Sequence, residues 1–215
     1  PSEAFRALLD LQVLEVLLPE LLPLVGFEQN RFHKEDVFNH TLTVLSRCPE
    51  NRLVRLAALF HDAGKPHTLS LDEDGDRHFY QHERVSGELA RTALERLRFS
   101  RTDVESVSLL VKQHMRSIDC GPAGARRIMR DVGALYEDWK ALKTADAPPC
   151  ETDEVFQERL QRFEQLVASE RERLRGSGVD QLVITGDDLI GIGFEEGVAL
   201  GNCLLYLREL ILEDP

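Results

Sequence analysis

Four polar residues stand where helices ought to be apolar. In RLVRLAALFHDAGKP the stripe Leu53, Leu56, Ala57, Phe60 continues onto His61, Asp62 follows directly, and Gly64 and Pro66 end the helix. In DVFNHTLTVL, Val37, His40 and Val44 share one face, and in GALYEDWKALKTADA the stripe Leu135, Trp139, Leu142 leads to Asp146. Two imidazoles and two carboxylates thus point toward a core from three helices. A lone histidine on such a face is usually a hydrogen-bonded core residue. Burying each of these groups singly costs on the order of several kcal/mol, whereas one shared divalent cation satisfies all four. Imidazole nitrogen and carboxylate oxygen suit manganese, iron, cobalt, nickel or zinc, with magnesium a further possibility.

The elements that must hold these groups read as helices of period near 3.6, so the expected fold is nearly all-α. Residues 4–24, with Leu8, Leu11, Val13, Leu14, Leu17 and Leu18 broken by Pro19 and Pro23, predict one helix and a short helical turn that packs on the domain. Further helices are expected near 35–47, 51–63, 82–98, 102–116, 122–131 and 133–147, that at 102 opened by a capping box of Thr102 and Glu105. The exception is LSLDEDGDRHFY, a hairpin turning at Asp74-Gly75. Its acidic residues do not make a calcium loop, because counting from Asp72 the glycine falls fourth rather than sixth. Pro148-Pro149 predicts a boundary between a domain over 1–150 and a helical extension over 151–215. The extension has a charged helix at 151–175, ended by the glycines at 176–178, then turns, then a helix from about 196 to 212. Leu204, Leu205, Leu207 and Leu210 are placed either to pack internally or to form a homodimer seam.

At 215 residues the chain can bury a substantial core, and 42% hydrophobic with 30% charged residues is ordinary for a globular protein. No apolar run approaches the roughly 20 residues needed to span a bilayer. PSEAFRALLD has no secretory pattern, so a cytoplasmic location and no membrane partner are the expectations. Cys48, Cys120, Cys150 and Cys203 are too scattered for a zinc knuckle or a redox pair and read as free thiols. The net charge of −12 disfavours broad RNA binding, but a small anionic substrate is compatible with a metal that supplies local positive charge.

A histidine, the dipeptide in HDAGKP about twenty residues later, and a distant aspartate together resemble the HD superfamily of metal-dependent phosphohydrolases. DVFNHTL, RLAALFHDAGKP, QHERVSGELA, VKQHM, ARRIMRDVG, TADA and LVITGDDLIGIG are similar to the carboxy-terminal HD and helical region of bacterial tRNA nucleotidyltransferases, over nearly the whole chain. The strand-borne aspartate pair with which those enzymes add nucleotides is missing, so this chain as it stands is expected not to add them. It is either a stand-alone relative or an excised fragment. The resemblance also implies an order seen in two-metal HD proteins: His40, His61-Asp62, His82, His114, Asp146, with Asp62 bridging; the alternative is a single ion, with His82 and His114 binding substrate or transferring protons. His114 independently ends the stripe Val104, Val107, Val111.

Metal ions in such a site lower the pKa of a bound water and offset phosphoryl charge. Asp62 and Lys65 are the catalytic candidates, Lys65 holding a phosphate oxygen or the leaving group. Lys65, Arg116, Arg126, Arg127 and Arg130 are the substrate-binding candidates, while His33, His67 and His78 read as surface or loop residues. By resemblance the substrate is a nucleotide phosphomonoester, a 2′,3′-cyclic phosphodiester or an RNA 3′-end phosphate, with tRNA a partner implied by kinship but opposed by charge. The competing readings are a non-catalytic RNA-binding or assembly module and a di-iron oxygenase of the HD type.

Overall fold

The computed structural model describes residues 1–29, 35–147, 153–176 and 184–213. They divide into two compact units, Pro1–Arg116 with Val132–Thr152, and Ser117–Asp131 with Asp153–Pro215. His33, Cys150 and the Pro148-Pro149 boundary lie outside the described residues. The fold is helical with one short hairpin, as the periodicity predicts.

In the first unit the leucine-rich opening is α1 (Ser2–Asp10), α2 (Leu14–Leu17) and a 3₁₀ turn over Pro19–Leu24. The expected single helix breaks before the prolines, at Gln12, whose φ of 57° is left-handed. That break buries Leu14, Leu18, Leu21 and Leu24 and leaves Leu11 and Val16 exposed. Next come α3 (Val37–Arg47), capped by Asp36, and α4 (Arg52–Phe60), whose cap Asn51 accepts from the N–H groups of Leu53 and Val54. The hairpin strands β1 (Leu69–Leu71) and β2 (Arg77–Phe79) pair antiparallel with Ser70 opposite His78. Their connection is not a two-residue turn at Asp74-Gly75. Gly75 N–H donates to Asp72 O, Asp72 N–H donates to Asp76 O, and only Gly75 takes a positive φ, so Glu73, Asp74 and Gly75 form a three-residue loop.

α5 (His82–Arg96) and α6 (Arg101–Gln113) follow. The cap of α6 is Ser100, whose side chain accepts from Asp103 N–H. The expected Thr102–Glu105 box does not form, since Thr102 is already inside the helix and Glu105 pairs with Arg101 at 2.7 Å. α7 (Pro122–Val132) belongs, but for its last residue, to the second unit, and α8 (Tyr136–Ala145) returns to the first. Because α4 packs against α3, α5, α6 and α8, it buries Val54, Ala57, Ala58, Leu59 and Phe60. Each large apolar side chain so buried contributes roughly 1.5–3 kcal/mol. A helix packed against four others is thus the one that ends on His61 and Asp62.

The second unit joins α7 to α9 (Asp153–Gly176), α10 (Gly186–Gly191) and α11 (Val198–Glu213). Phe156, Leu160, Phe163 and Val167 form the buried stripe of α9. α10 stands where the sequence suggested turns, and its start is fixed by a reciprocal cap between Thr185 and Asp188. Leu204 and Leu207 are half-buried. Cys48, Cys120 and Cys203 are free thiols, and burial pushes the Cys48 thiol up to about 11. Among the described residues no helix is long and apolar enough to cross a membrane.

Candidate metal centre

Each site residue is delivered by the end of an element. Asp36 caps α3 through Asn39 N–H at 2.7 Å and so sets the turn that carries His40. His61 and Asp62 occupy the turn that leaves α4, and Gly64, two residues on, allows it to press against the start of α5. A Cβ at Gly64 would lie 2.4 Å from His82 O, and its N–H donates to Ser86 Oγ at 2.8 Å. Gly64 thus serves close approach, at an ordinary φ of −80°. His82 opens α5 just after Gln81, which takes a left-handed φ of 61° and turns the chain sharply out of β2. His114 leaves α6, and that helix end is held by α8: Trp139 Nε1 donates to Gln113 O at 2.9 Å and Lys143 Nζ to His114 O at 2.8 Å. Asp146 is the residue after α8.

All six side chains predicted from the sequence converge. His40, His61 and Asp146 form one group: His40 Nε2 lies 3.2 Å from Asp146 Oδ1 and 3.3 Å from His61 Nε2, and His61 Nε2 lies 3.5 Å from Asp146 Oδ1. Asp62, His82 and His114 form a second: His82 Nε2 is 3.2 Å and His114 Nε2 3.8 Å from Asp62 Oδ1, with 3.3 Å between the two nitrogens. Asp62 touches both groups, because its other oxygen, Oδ2, is 3.1 Å from His61 Nε2 and 3.6 Å from His40 Nε2.

Three of the imidazoles are oriented by the backbone. His61 Nδ1–H donates to Ala58 O, His82 Nδ1–H to Phe79 O and His114 Nδ1–H to Val111 O, at 2.8, 2.8 and 2.7 Å. Each bond fixes the ring and, in the neutral tautomer, leaves the Nε2 lone pair facing the cluster. Burial opposes charge on His61, but Asp62 and Asp146 outweigh it and raise the imidazole to about 10. Against the same burial, His61 and Lys65 hold Asp62 well below the usual carboxylate range, and His61 and His40 do so for Asp146. Burial and the nearby His61 charge push His114 down to about 3. The centre is a place built for positive charge, and its nitrogen and oxygen donors fit divalent transition metals.

Lys65 sits at the edge of this centre, its Nζ 2.7 Å from Asp62 Oδ2 and 2.7 Å from the side-chain oxygen of buried Gln29. Gln29 was not singled out by sequence reasoning, and a polar residue in an irregular segment gives no periodic signal. Arg116 is exposed two residues beyond His114 and donates to Gln113 Oε1. Arg126, Arg127 and Arg130 belong to the second unit. Arg126 is buried there against Glu170 at 2.5 Å, Arg127 is exposed, and Arg130 pairs with Asp131. His67 is exposed, and His78 is held by Asp72 at 2.8 Å and stacked on Tyr80.

This arrangement of helices gathers histidines and aspartates into two groups that could hold metal ions. The HD domain family model matches residues 37–147, and the chain belongs to that family. It is 37% identical over 178 residues to the A-adding tRNA nucleotidyltransferase of Deinococcus radiodurans, covering 79% of this chain and 41% of that protein. It is 34% identical over 219 residues to the CC-adding tRNA nucleotidyltransferase of Thermus thermophilus, covering 97% of this chain and 49% of that protein. A more distant match, 26% identical over 167 residues, covers 67% of this chain and 17% of the bifunctional uridylyltransferase/uridylyl-removing enzyme of Ruegeria pomeroyi. The chain spans less than half the length of these relatives. The likeness to tRNA nucleotidyltransferases is thus a likeness to part of each of those proteins.

Proposed function

We propose that the first unit is a metal-dependent phosphohydrolase acting on a nucleotide phosphomonoester or a 2′,3′-cyclic phosphodiester. The observation that carries this reading is Asp62, whose two oxygens face two separate groups of nitrogen and oxygen donors. His40, His61 and Asp146 would hold one ion, His82 and His114 a second, and Asp62 would serve both. When bound, the ions supply an activated water and offset charge on phosphoryl oxygens. The residues of the chain do the rest. The backbone carbonyls of Ala58, Phe79 and Val111 keep three imidazoles in the ligating tautomer. The Lys65 ammonium, held on Asp62, is the group that meets a phosphate oxygen, and exposed Arg116 stands ready for the remainder of a nucleotide.

The name of the uridylyl-removing relative adds support, since removal of a uridylyl group is the kind of reaction proposed. The test is hydrolysis of 2′,3′-cyclic AMP and bis(p-nitrophenyl) phosphate with manganese, nickel or cobalt added and then chelated. Metal-dependent turnover that Asp62→Ala abolishes is the expected result. A metal-loaded protein inert toward both esters would overturn the reading and move the function to an RNA-binding module or an oxygen-consuming di-iron centre.

A further inference from the structure

Resting on the phosphohydrolase reading, we infer that Gln29 is a positioning residue for that reaction, acting through Lys65. Its side chain is buried and polar, and its oxygen accepts from Lys65 Nζ at 2.7 Å, the same distance as the contact from Lys65 to Asp62 Oδ2. An ammonium nitrogen is tetrahedral and carries three N–H donors. With Cε on one side and two hydrogens committed to Asp62 and Gln29, the third N–H has a single direction left. Among the described residues no other hydrogen-bond acceptor for Lys65 is found. The ring of Phe79, 5.7 Å from Nζ, further confines the ammonium. Without Gln29, Lys65 keeps its charge and its bond to Asp62 but is free to rotate about Cε–Nζ.

Gln29 is itself held from two sides. Asp36 accepts from Gly26 N–H at 2.8 Å with the carboxylate whose other oxygen caps α3, and Glu28 bridges Asp36 in antiparallel fashion. From the hairpin, Arg77 donates to Glu28 O at 2.5 Å and pairs with the Glu28 carboxylate at 3.3 Å. The segment that presents Gln29 is thereby tied both to the helix that carries His40 and to the strand whose Phe79 carbonyl orients His82. A buried amide so anchored next to the reactive lysine fixes a direction, which a loop glutamine on the surface does not do.

The experiment compares wild type, Gln29→Met, Gln29→Glu, Lys65→Met and the Gln29→Met/Lys65→Met double variant. Two readouts are used: kcat/KM on bis(p-nitrophenyl) phosphate, and the ¹H–¹⁵N signal of the Lys65 ammonium in the metal-free protein. Gln29→Met should lower kcat/KM by roughly tenfold to a hundredfold, as loss of such supporting contacts does elsewhere. Gln29→Glu, which restores an acceptor, should recover most of the loss. In the Lys65→Met background, Gln29→Met should cost nothing further, and the Lys65 ammonium signal seen in wild type should be lost to fast exchange in Gln29→Met. Additive losses in the double variant, or an ammonium signal unchanged in Gln29→Met, would overturn the inference. If no variant and not even wild type hydrolyses the ester, the phosphohydrolase reading fails, and the ammonium signal alone still decides whether Gln29 holds Lys65.

Discussion

The apolar stripe of α9 runs through Phe156, Leu160, Phe163 and Val167 and then on to buried Glu170, much as the stripe of α6 runs on to His114. In the second unit the buried charge is answered within protein: Arg126, itself 3% exposed, meets Glu170 at 2.5 Å, and Arg173 approaches its other oxygen at 3.7 Å. In the first unit two carboxylates and four imidazoles crowd together, with Lys65 at the edge. A polar residue at the end of an apolar stripe is therefore not by itself a sign of chemistry. What separates the regions is surplus: the first has many more lone pairs than hydrogens to share among them, while in the second the buried carboxylate is met by guanidinium groups.

The comparison breaks most visibly if the two regions fail in the same way. Replacing Asp62 by Ala is expected to reduce phosphoesterase kcat/KM on the order of a hundredfold to a thousandfold or more, as loss of preorganised charge stabilisation does. Replacing Glu170 by Ala should instead leave kcat/KM within about twofold and cost roughly 3–5 kcal/mol of stability in denaturant titration, because it removes the buried carboxylate that the Arg126 guanidinium meets. The paired change Arg126→Met/Glu170→Leu should regain most of that stability. If Glu170→Ala removed activity without destabilising the fold, the assignment of the second pair as structural would be wrong.

The helical fold and the metal-centre half of this contrast were legible in the sequence, and the reasons differ by residue. His61 and Asp146 each fall one step beyond a helical stripe and His40 lies on one, so periodicity located them, while His114 ends a stripe but was marked by the order of histidines in related proteins. His82 follows a hairpin and has no stripe, and only the order of histidines in related proteins pointed to it. Gln29 and the carbonyls of Ala58, Phe79 and Val111 left no trace, since a backbone acceptor has no residue type and Gln29 sits in irregular chain. The role of Gly64 in close approach depends on where α5 returns, which is a tertiary fact. At α6 the cap is Ser100 rather than the expected Thr102, because spacing alone does not fix which residue precedes the first helical turn. The ion pair of Arg126 with Glu170 joins positions 44 apart, beyond any local pattern.

A smaller effect sharpens the electrostatic side. In the metal-free protein His61 is raised to about 10, so its proton stabilises the fold fully below the unfolded value near 6.5, and that contribution disappears as pH rises through about 10. A metal ion needs the neutral ring, so binding must displace that proton. Affinity should accordingly rise by about tenfold per pH unit between pH 7 and pH 9, with proton release measurable by calorimetry in buffers of different ionisation enthalpy. A pH-independent affinity would contradict this account of the centre. At the small end, His78→Ala on the hairpin, whose partner Asp72 is exposed, should leave the denaturant midpoint and the metal content essentially unchanged.

The most direct test is the metal stoichiometry of protein reconstituted with manganese or cobalt, measured by elemental analysis alongside circular dichroism. Wild type should retain two ions per chain, His40→Ala and His82→Ala one each, and Asp62→Ala neither, with helical content preserved throughout. A single ion in wild type, or a full complement in folded Asp62→Ala, would contradict the claim that Asp62 joins two metal positions.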